Sequence, residues 1–287
     1  MFKREEKDLN NVEKLGFLNH DFKVFHLVDS GRKEYNFHYH DFHKILIFLR
    51  GNVNYFVEGK NYVLNPYDIV LIQAGEIHRP SVLDSSEYER IIIYVSTEFL
   101  KGFSEEEYDL SLCFSATEKE RSHVQRFPSL DKSKLYQVCM EVEKSLSDKE
   151  YANTLYQKIL FLEFMIWLNR MTLSEEHEVT IIVNDSKLRP ILLYINEHLQ
   201  EEITIDTLAE QFFMSRYYLM HSFKKETGYT IGNYLTKKRL LLARELLKGG
   251  LTSTEACFHA GFKNYSSFLR AFKKEYHTTP KGMFDLE

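Results

Sequence analysis

Two stretches near the carboxyl end decide the fold of this chain: TIDTLAEQFFMSRYYLMHSFKKETG at residues 204–228 and TSTEACFHAGFKNYSSFLRAFKKEYH at residues 252–277. They form an internal repeat, in which Thr204 aligns with Thr252 at an offset of 48 and Phe223 with Phe272 at an offset of 49. The second copy therefore has one extra residue in its middle. Both copies contain Phe-Lys-Lys-Glu near their end, so an accidental match between unrelated helices is a poor explanation.

Each copy has the signals of two short helices joined by a tight turn. Thr204 and Thr252 are suited to cap the first helix, and Thr252 with Glu255 has the spacing of a capping box. Ser215 and Asn264 are suited to cap the second helix. A small residue in the first helix and an apolar pair four residues apart in the second predict close packing; these are Ala209 with Leu219 and Phe223, and Cys257 with Phe268 and Phe272.

Two short helices of this kind, the second basic and exposed, form a helix-turn-helix. Between the copies, residues 231–248 have the pattern of one helix, about 27 Å long at about 1.5 Å per residue. A helix of that length can hold two reading helices about one DNA turn apart, roughly 34 Å, so that one chain reads two successive major grooves. The alternative is a plain helical bundle, which leaves the matched caps and core pairs unexplained.

The segment 187–284 resembles the DNA-binding domain of AraC/XylS-type transcription regulators. The sequence departs from the family pattern at Cys257, where alanine is usual, and at His277, where glycine is usual before Thr-Thr-Pro; the latter difference is expected to affect how the last helix ends. The stretches that carry the resemblance are TIDTLA (204–209), SRYYLMHSFKKETG (215–228), Arg239 with Ala243-Arg244 and Leu246-Leu247, Gly261-Phe262, FLRAFK (268–273) and Pro280.

With the apolar pairs facing inward, the outward side chains of the two second helices are the predicted DNA-binding residues. The resemblance implies base contacts at Tyr217, Met220, His221, Ser266, Leu269 and Arg270. Arg270 is the strongest candidate, because arginine can bind guanine O6 and N7 in bidentate fashion. Lys224 and Lys273 are expected to touch phosphates. The full predicted set is Arg216, Tyr217, Met220, His221, Lys224, Tyr265, Ser266, Leu269, Arg270 and Lys273.

The first half of the sequence has a different pattern, with short apolar runs separated by turn residues and no helix between them. This spacing predicts an antiparallel sandwich or barrel. The predicted strands are 22–28, 44–50, 53–57, 68–73 and 90–95.

Histidines are the notable polar residues of this half. His38 and His40 are two residues apart, so their side chains point to the same side of a predicted strand that also holds His43. Together with the distant His78, they resemble a cupin barrel, where two such histidines, a glutamate four residues later and a distant histidine bind a metal ion. In this sequence Lys44 stands at the glutamate position and would place a positive charge beside the cation.

A zinc or iron site formed by His38, His40 and His78 remains open. The favoured interpretation, however, is a pocket for a small organic effector, such as a carbohydrate, without a metal or other cofactor. The alternative function is a metal-dependent cupin enzyme with a helical tail, which would need the ligand that Lys44 replaces. The predicted effector-binding residues are His38, Tyr39, His40, His43, Tyr55, His78 and Arg79.

Helical spacing begins after the strands, at residues 134–146 and 153–170. The second of these helices looks like the dimerisation helix of AraC-type regulators, although packing on its own barrel explains its apolar residues equally well. The predicted fold class is α+β with several domains: a cupin-like β-barrel with helices at 1–171 for effector binding and dimerisation, a linker at 172–186, and an all-α DNA-binding domain with two helix-turn-helix motifs at 187–287.

Charge and composition agree with this division. Of the 37 basic and 42 acidic residues, 15 and 11 lie from Lys187 onward, which leaves 22 and 31 before it. A basic rear part favours a polyanionic partner.

The 44% hydrophobic residues and the lack of a long apolar run exclude a disordered chain and a membrane protein. The charged amino terminus has no signal-peptide centre, which predicts a cytoplasmic protein, and three distant cysteines allow no disulfide framework.

The predicted function is therefore a sequence-specific DNA-binding transcription regulator that senses a small molecule, and not an enzyme. Its predicted partners are double-stranded promoter or operator DNA, the effector and a second copy of the chain through the helix at 153–170, with RNA polymerase as a further candidate. No membrane partner is predicted.

Overall fold

The computed structural model divides the chain into two compact units, Met1–Asn184 and Asp185–Glu287. None of the helices in the described part of the chain is long and apolar enough to cross a membrane. Of the linker predicted at 172–186, residues 172–173 belong instead to a helix and residues 182–185 to a strand, and residues 175–181 and 186 lie outside the described residues. Those are residues 18, 20–30, 34–115, 122–174, 182–185 (backbone only) and 187–283.

The first unit is built on two antiparallel sheets. In chain order the strands are β1 (Phe22–Asp29), β2 (His43–Arg50), β3 (Val53–Val57), β4 (Lys60–Val63), β5 (Ile69–Ile72), β6 (His78–Val82), β7 (Tyr88–Val95), β8 (Val124–Gln125) and β9 (Ile182–Asp185). One sheet has the order β1-β7-β2-β5-β8, and the other has the order β6-β3-β4-β9. This arrangement confirms the predicted β-rich first half.

All five strands predicted from the sequence are present, with ends that differ by at most two residues. The sequence did not indicate β4, β6, β8 and β9. These strands are short, and β6 contains Pro80, a residue that normally argues against a strand because it lacks a backbone donor.

The five-stranded sheet is covered on both faces, and successive side chains along a strand alternate between the two faces. Ile45 and Ile47 of β2 pack towards the helices of this unit, whereas Leu46 and Phe48 pack towards the four-stranded sheet. Along β2, odd-numbered side chains therefore enter the core formed with the helices, and even-numbered side chains enter the core between the two sheets.

In the described part of the first unit, α1 (Thr97–Gly102) and α2 (Leu112–Ser115) lie between β7 and β8, and α3 (Lys134–Ser145) and α4 (Asn153–Leu173) lie between β8 and β9. The long helix α4 extends three residues beyond its predicted end at 170. One of its faces packs on the barrel through Leu160, Phe161, Phe164, Met165 and Leu168, all of them buried.

From Arg189 onward, the described part of the second unit contains the helices α5 (Arg189–Glu197), α6 (Ile205–Gln211), α7 (Arg216–Thr227), α8 (Ile231–Lys248), α9 (Ser253–His259) and α10 (Tyr265–Tyr276). The first repeat copy is α6–α7 and the second is α9–α10, with α8 between them as predicted. The four apolar residues predicted to face inward, Leu219, Phe223, Phe268 and Phe272, are completely buried.

Candidate functional site

The two repeat copies begin their helices with the same hydrogen bonds. The Thr252 side chain accepts from the Glu255 amide and the Glu255 carboxylate accepts from the Thr252 amide, which confirms the predicted capping box. Thr204 and Thr207 form a second capping box in α6, which the sequence analysis did not identify. These caps satisfy amides that the first helical turn leaves without partners, so each short helix is stabilised locally.

The second helix of each copy is capped as predicted. Ser215 Oγ accepts from the Tyr218 amide at 3.2 Å, and Asn264 Oδ1 accepts from the Ser267 amide at 2.8 Å. These caps and the buried apolar pairs fix the rotation of α7 and α10, and therefore determine which residues face solvent.

The predicted DNA-binding residues lie on the outer faces of α7 and α10. Nine of the ten are exposed and Leu269 is half-buried. On α7, Arg216 forms an ion pair with Asp206, with 2.8 Å between Nε and Oδ1, and the Tyr217 and His221 rings lie nearly parallel with their centres 6.1 Å apart. On α10, Arg270 contacts Ser267 only through a long hydrogen bond of 3.4 Å. The Arg270 guanidinium is therefore well placed to form new hydrogen bonds.

The turns that join the helices start with the same backbone features in both copies, before the extra residue of the second copy. Phe213 and Gly261 occupy equivalent positions, and both have positive φ, at 52° and 87°. The next residue in each copy donates a backbone hydrogen bond to the small residue of the first helix, Met214 to Ala209 and Phe262 to Cys257.

A clamp from α8 holds the second turn. Arg239 donates to the backbone oxygens of Leu199 at 2.8 Å and Glu201 at 2.6 Å. Gly261 lies so close to this segment that a Cβ would overlap the Leu199 carbonyl oxygen. The clamp ties the second helix-turn-helix to the chain that precedes the first one.

In the first unit, three of the predicted histidines form one cluster between the two sheets, which we call the histidine cluster: His38, His40 and His78. His38 and His78 are paired by two backbone hydrogen bonds of 3.1 and 3.0 Å. Their ring centres are 4.3 Å apart, and the His40 ring centre is 4.9 Å from that of His78. The ligand nitrogens of all three lie within 4.8 Å of one another.

The histidine cluster is largely enclosed. His40 and His78 are buried, and desolvation lowers the pKa of each imidazole well below its ordinary value, with the neighbouring Lys44 and histidines adding to the effect. Both rings are therefore neutral. Lys44 is only 2% exposed, and its Nζ lies 3.5 Å from His78 Nε2, which places the lysine beside the histidines as the sequence indicated. The Tyr55 ring lies nearly parallel to that of His78.

The structure does not bring the remaining predicted residues into the cluster. His43 is the first residue of β2 and points to the helical side, where it stacks on Phe114 and burial lowers its pKa to about 4. Arg79 points away from His78 because adjacent residues alternate along β6, and its guanidinium lies 4.3 Å from the Phe37 ring centre. Tyr39 is half-buried.

One local prediction was wrong. His38, His40 and His43 do not share a regular strand: His38 forms an isolated bridge with His78, and β2 starts only at His43. The sequence analysis also missed two aromatic neighbours of the cluster, Phe42 and Tyr94. The Phe42 ring stacks on His40 at 4.0 Å and the Tyr94 ring lies 5.6 Å from it. Strand parity could have identified Tyr94, which pairs with Lys44 across β2 and β7.

Comparison with known proteins gives the two units separate matches. Residues 20–165 match the model of the AraC-like ligand binding domain, and residues 208–285 match a helix-turn-helix domain. The HTH-type transcriptional activator RhaS of Escherichia coli is 26% identical over 250 residues, which cover 86% of each chain.

Solved structures give further similarities. ToxT from Vibrio cholerae is 14% identical, and the match covers 92% of this chain and 96% of that chain with a TM-score of 0.36. A protein of unknown function from Listeria innocua is 30% identical, and the match covers 35% of this chain and 96% of that chain with a TM-score of 0.33.

The ligand-binding model spans half of the sequence, the helix-turn-helix model follows it in the order that the two units have here, and the RhaS relatives align across both. The enzyme alternative finds no support in these matches. The chain therefore belongs to the AraC family of transcription regulators, and combines a ligand-binding unit with a unit that binds DNA.

Proposed function

We propose that this regulator reads an operator with the outer faces of α7 and α10 and is controlled by a small molecule bound at the histidine cluster. It acts in the cytoplasm, where its DNA target is, and its barrel binds the effector without turning it over. The observation that carries the proposal is the pair of exposed faces, each held in a fixed rotation by a cap and a buried apolar pair.

Charge and exposure support the division of roles on the DNA-binding faces. Lys224 and Lys273 occupy equivalent exposed positions in the last turns of the two helices, where an ammonium suits a phosphate. Arg270 lies one turn earlier on α10 and can reach a base edge. His221 is its counterpart on α7.

A binding titration of the intact chain tests this proposal. Footprinting on the DNA beside its own gene would locate the operator, and the affinity would then be measured for operator and for unrelated DNA of equal length. We expect a large preference for the operator. Equal affinity for both DNAs would contradict sequence-specific reading.

The histidine cluster is suited to a polar ligand. Lys44 supplies a charged donor, the imidazoles supply polar nitrogens, and Phe42, Tyr55 and Tyr94 supply apolar walls. A pocket with mostly apolar walls and a few polar groups is typical of small-molecule sites.

The effector role predicts a specific pattern of variants. Candidate metabolites, sugars among them, would be added to the operator titration. An effector that binds the two functional states unequally should change operator affinity, typically by a coupling of about 1–3 kcal/mol. His78→Ala should reduce this response and preserve operator binding without effector. An unchanged response in the His78→Ala, His38→Ala and His40→Ala variants would place the effector elsewhere.

We also propose that the exposed face of α4 mediates homodimerisation. Leu155, Ile159, Leu162, Ile166 and Leu173 follow one another at steps of 4, 3, 4 and 7 residues, the spacing of a coiled-coil seam. Leu155, Ile159 and Leu173 are 60%, 53% and 57% exposed, whereas the opposite face of the helix is buried in its own barrel. A second copy of the same helix can cover this stripe through a two-fold interface.

Sedimentation of the intact chain tests the interface. We expect a dimer for the native sequence and a monomer for the double variant Leu155→Glu, Ile159→Glu, because burying two carboxylates in an apolar seam is costly. Tyr156→Glu is the matched control, since Tyr156 is exposed on the same helix but off the stripe. A double variant that remains dimeric would exclude α4 as the interface. We propose RNA polymerase as a further partner, since the chain belongs to a family of transcription regulators.

A further inference from the structure

A histidine outside the histidine cluster joins the five-stranded sheet to a helix of the same unit. His26 lies on β1 and faces the helical side of the sheet, as Val24 does two residues earlier. Its Nδ1 lies 2.8 Å from Oε1 of Glu143 on α3, and its Nε2 lies 3.0 Å from Oε1 of Glu89 on β7. One imidazole therefore bridges two strands and a helix.

These two contacts determine the protonation state of His26. An ionised carboxylate only accepts hydrogen bonds, whereas a neutral imidazole donates from one nitrogen and accepts at the other. Both contacts are satisfied together by the imidazolium form, in which both nitrogens donate. The hydrogen bond to Glu143 is the largest cause that raises the pKa of His26 above its ordinary value of 6.5, and Glu89 adds to it against the opposing effect of desolvation.

The two carboxylates depend on this proton unequally. Glu89 also forms an ion pair with Arg50, with 3.1 Å between Oε2 and a guanidinium nitrogen, and Arg50 reaches Glu87 as well. Glu143 Oε2, by contrast, is buried without a hydrogen bond from any described residue. Glu143 also lies in the last turn of α3, where the helix dipole disfavours a negative charge. The His26 imidazolium therefore supplies the ion pair of Glu143.

Two further titratable groups of α3 face this contact, Tyr136 and Cys139. Desolvation raises the pKa of each to about 12, and the charge of Glu143 adds to the effect. The Tyr67 ring packs edge-on against Tyr136, with 5.5 Å between the ring centres. Among these groups, His26 is the one that titrates near neutral pH.

We propose that His26 is a proton-dependent pin that fastens α3 to the five-stranded sheet. In the protonated state the imidazolium pairs with both carboxylates. When the proton leaves, one nitrogen presents a lone pair, and Glu143 loses its ion pair whereas Glu89 keeps Arg50. The side chains of His26, Glu89 and Glu143 are half-buried, so the proton can still exchange with solvent. Because α3 and α4 share one apolar core, the pin also supports the helix that carries the exposed apolar stripe.

The stability that the pin contributes has a defined dependence on pH. The folded chain binds this proton more tightly than the unfolded chain, because folding raises the pKa of His26 above 6.5. The contribution is therefore fully present below the unfolded pKa of about 6.5 and is lost as the pH rises through the folded pKa. A change of pH near neutrality thus alters how firmly α3 is attached to the sheet.

Urea unfolding of the full-length chain between about pH 6 and about pH 9 tests the proposal. The fluorescence of Trp167 follows the first unit alone, because it is the single tryptophan and lies on α4. We expect the urea midpoint of the native chain to exceed that of His26→Gln most at the acid end, and the difference to fall by roughly half or more at the alkaline end. Glu143→Gln keeps an acceptor for Nδ1 without the charge, and should flatten the pH dependence.

His20→Gln is the matched control, since His20 is an exposed histidine of the same unit. Its difference from the native chain should stay constant over this range of pH. Nuclear magnetic resonance of the native chain with ¹⁵N-labelled histidine keeps the test decisive if His26→Gln fails to fold. The His26 signals are those that Glu143→Gln displaces.

We expect the ring nitrogens of His26 to titrate with a midpoint above 6.5, and Glu143→Gln to lower that midpoint. A midpoint at or below the ordinary value would overturn the proposal. So would a difference in urea midpoint between the native chain and His26→Gln that does not change with pH.

Discussion

The two helix-turn-helix copies share positive φ at two equivalent positions and have different residues there. Both turns need a residue with positive φ, which is Phe213 in the first copy and Gly261 in the second. Both second helices end on a left-handed residue, which is Gly228 on α7 and His277 on α10. Glycine, the residue that positive φ favours, is therefore present at only one position of each equivalent pair.

The surroundings explain one of these differences. Gly261 lies against the Leu199 backbone under the Arg239 clamp, so it has no room for a side chain. Phe213 is 96% exposed and its ring is in solvent. A left-handed backbone conformation accommodates a side chain at a modest cost in free energy. An overlap between a Cβ and a backbone atom is not accommodated in this way. Steric contact, more than φ, makes glycine necessary in the second copy.

The largest effect is expected for Gly261→Ala. The new Cβ would meet the Leu199 carbonyl oxygen, and relieving this overlap should lower the free energy of unfolding of the DNA-binding unit by about 3 kcal/mol. Phe213→Gly at the equivalent turn is the control, because it removes a Cβ at positive φ where there is no backbone overlap, and it should change stability by about 1 kcal/mol or less. Denaturation followed by circular dichroism measures both. A loss from Gly261→Ala no larger than the gain from Phe213→Gly would show that φ and not contact dominates.

The second-largest effect on function is expected on the outer faces of α7 and α10, where the two copies present different side chains. Arg270→Ala is expected to weaken operator binding by about 1–3 kcal/mol and to relax the preference at one base pair. His221→Ala, at the equivalent position of α7, should cost less, because an imidazole cannot make the bidentate contact of a guanidinium with guanine. Binding titrations against operators with single base changes measure both. Equal losses on all DNA sequences would contradict base reading by Arg270.

A smaller effect is expected where the copies are alike. Lys224→Ala and Lys273→Ala should each weaken binding to all DNA sequences and reduce the slope of affinity against salt by about one. The measurement is a titration at several salt concentrations. A sequence-dependent loss in either variant would assign that lysine to a base instead of a phosphate.

The smallest effect concerns the ends of the second helices. His277 has φ of 58° and donates its amide to Lys273, as Gly228 does to Lys224. His277→Gly should remove left-handed strain and stabilise the DNA-binding unit by roughly 1 kcal/mol or less, since glycine also gains entropy in the unfolded chain. Thermal melting would detect it. A destabilised variant would mean that the His277 side chain makes a stabilising contact.

Much of the fold was predictable because its signals are local. Caps, small residues and apolar pairs repeat at fixed spacing, and α8 has the predicted ends. The positive φ of Phe213 was not indicated, because phenylalanine gives no turn signal; alignment with Gly261 was the available clue. The helical end at His277 likewise keeps the shape that glycine usually gives, so that substitution does not alter how α10 ends.

The buried cluster was only partly predictable because its neighbours come from distant strands. Spacing alone identified His38 and His40, and their convergence with His78 depends on a single bridge between segments 40 residues apart. The alternation of side chains along a strand separates His43 and Arg79 from the cluster. This alternation can be applied only when the ends of the strands are known. Those ends are the least certain part of a sequence pattern.

If α7 and α10 read DNA as proposed, their unequal outer faces give a single chain a front and a back along its DNA. A symmetric dimer of identical reading heads requires a palindrome, which looks the same from both directions. With tyrosine and histidine presented by one head and serine and arginine by the other, an inverted site would meet the wrong side chains. The proposed reading therefore implies that one copy of this protein distinguishes upstream from downstream, and that a promoter can specify the direction in which its regulator faces.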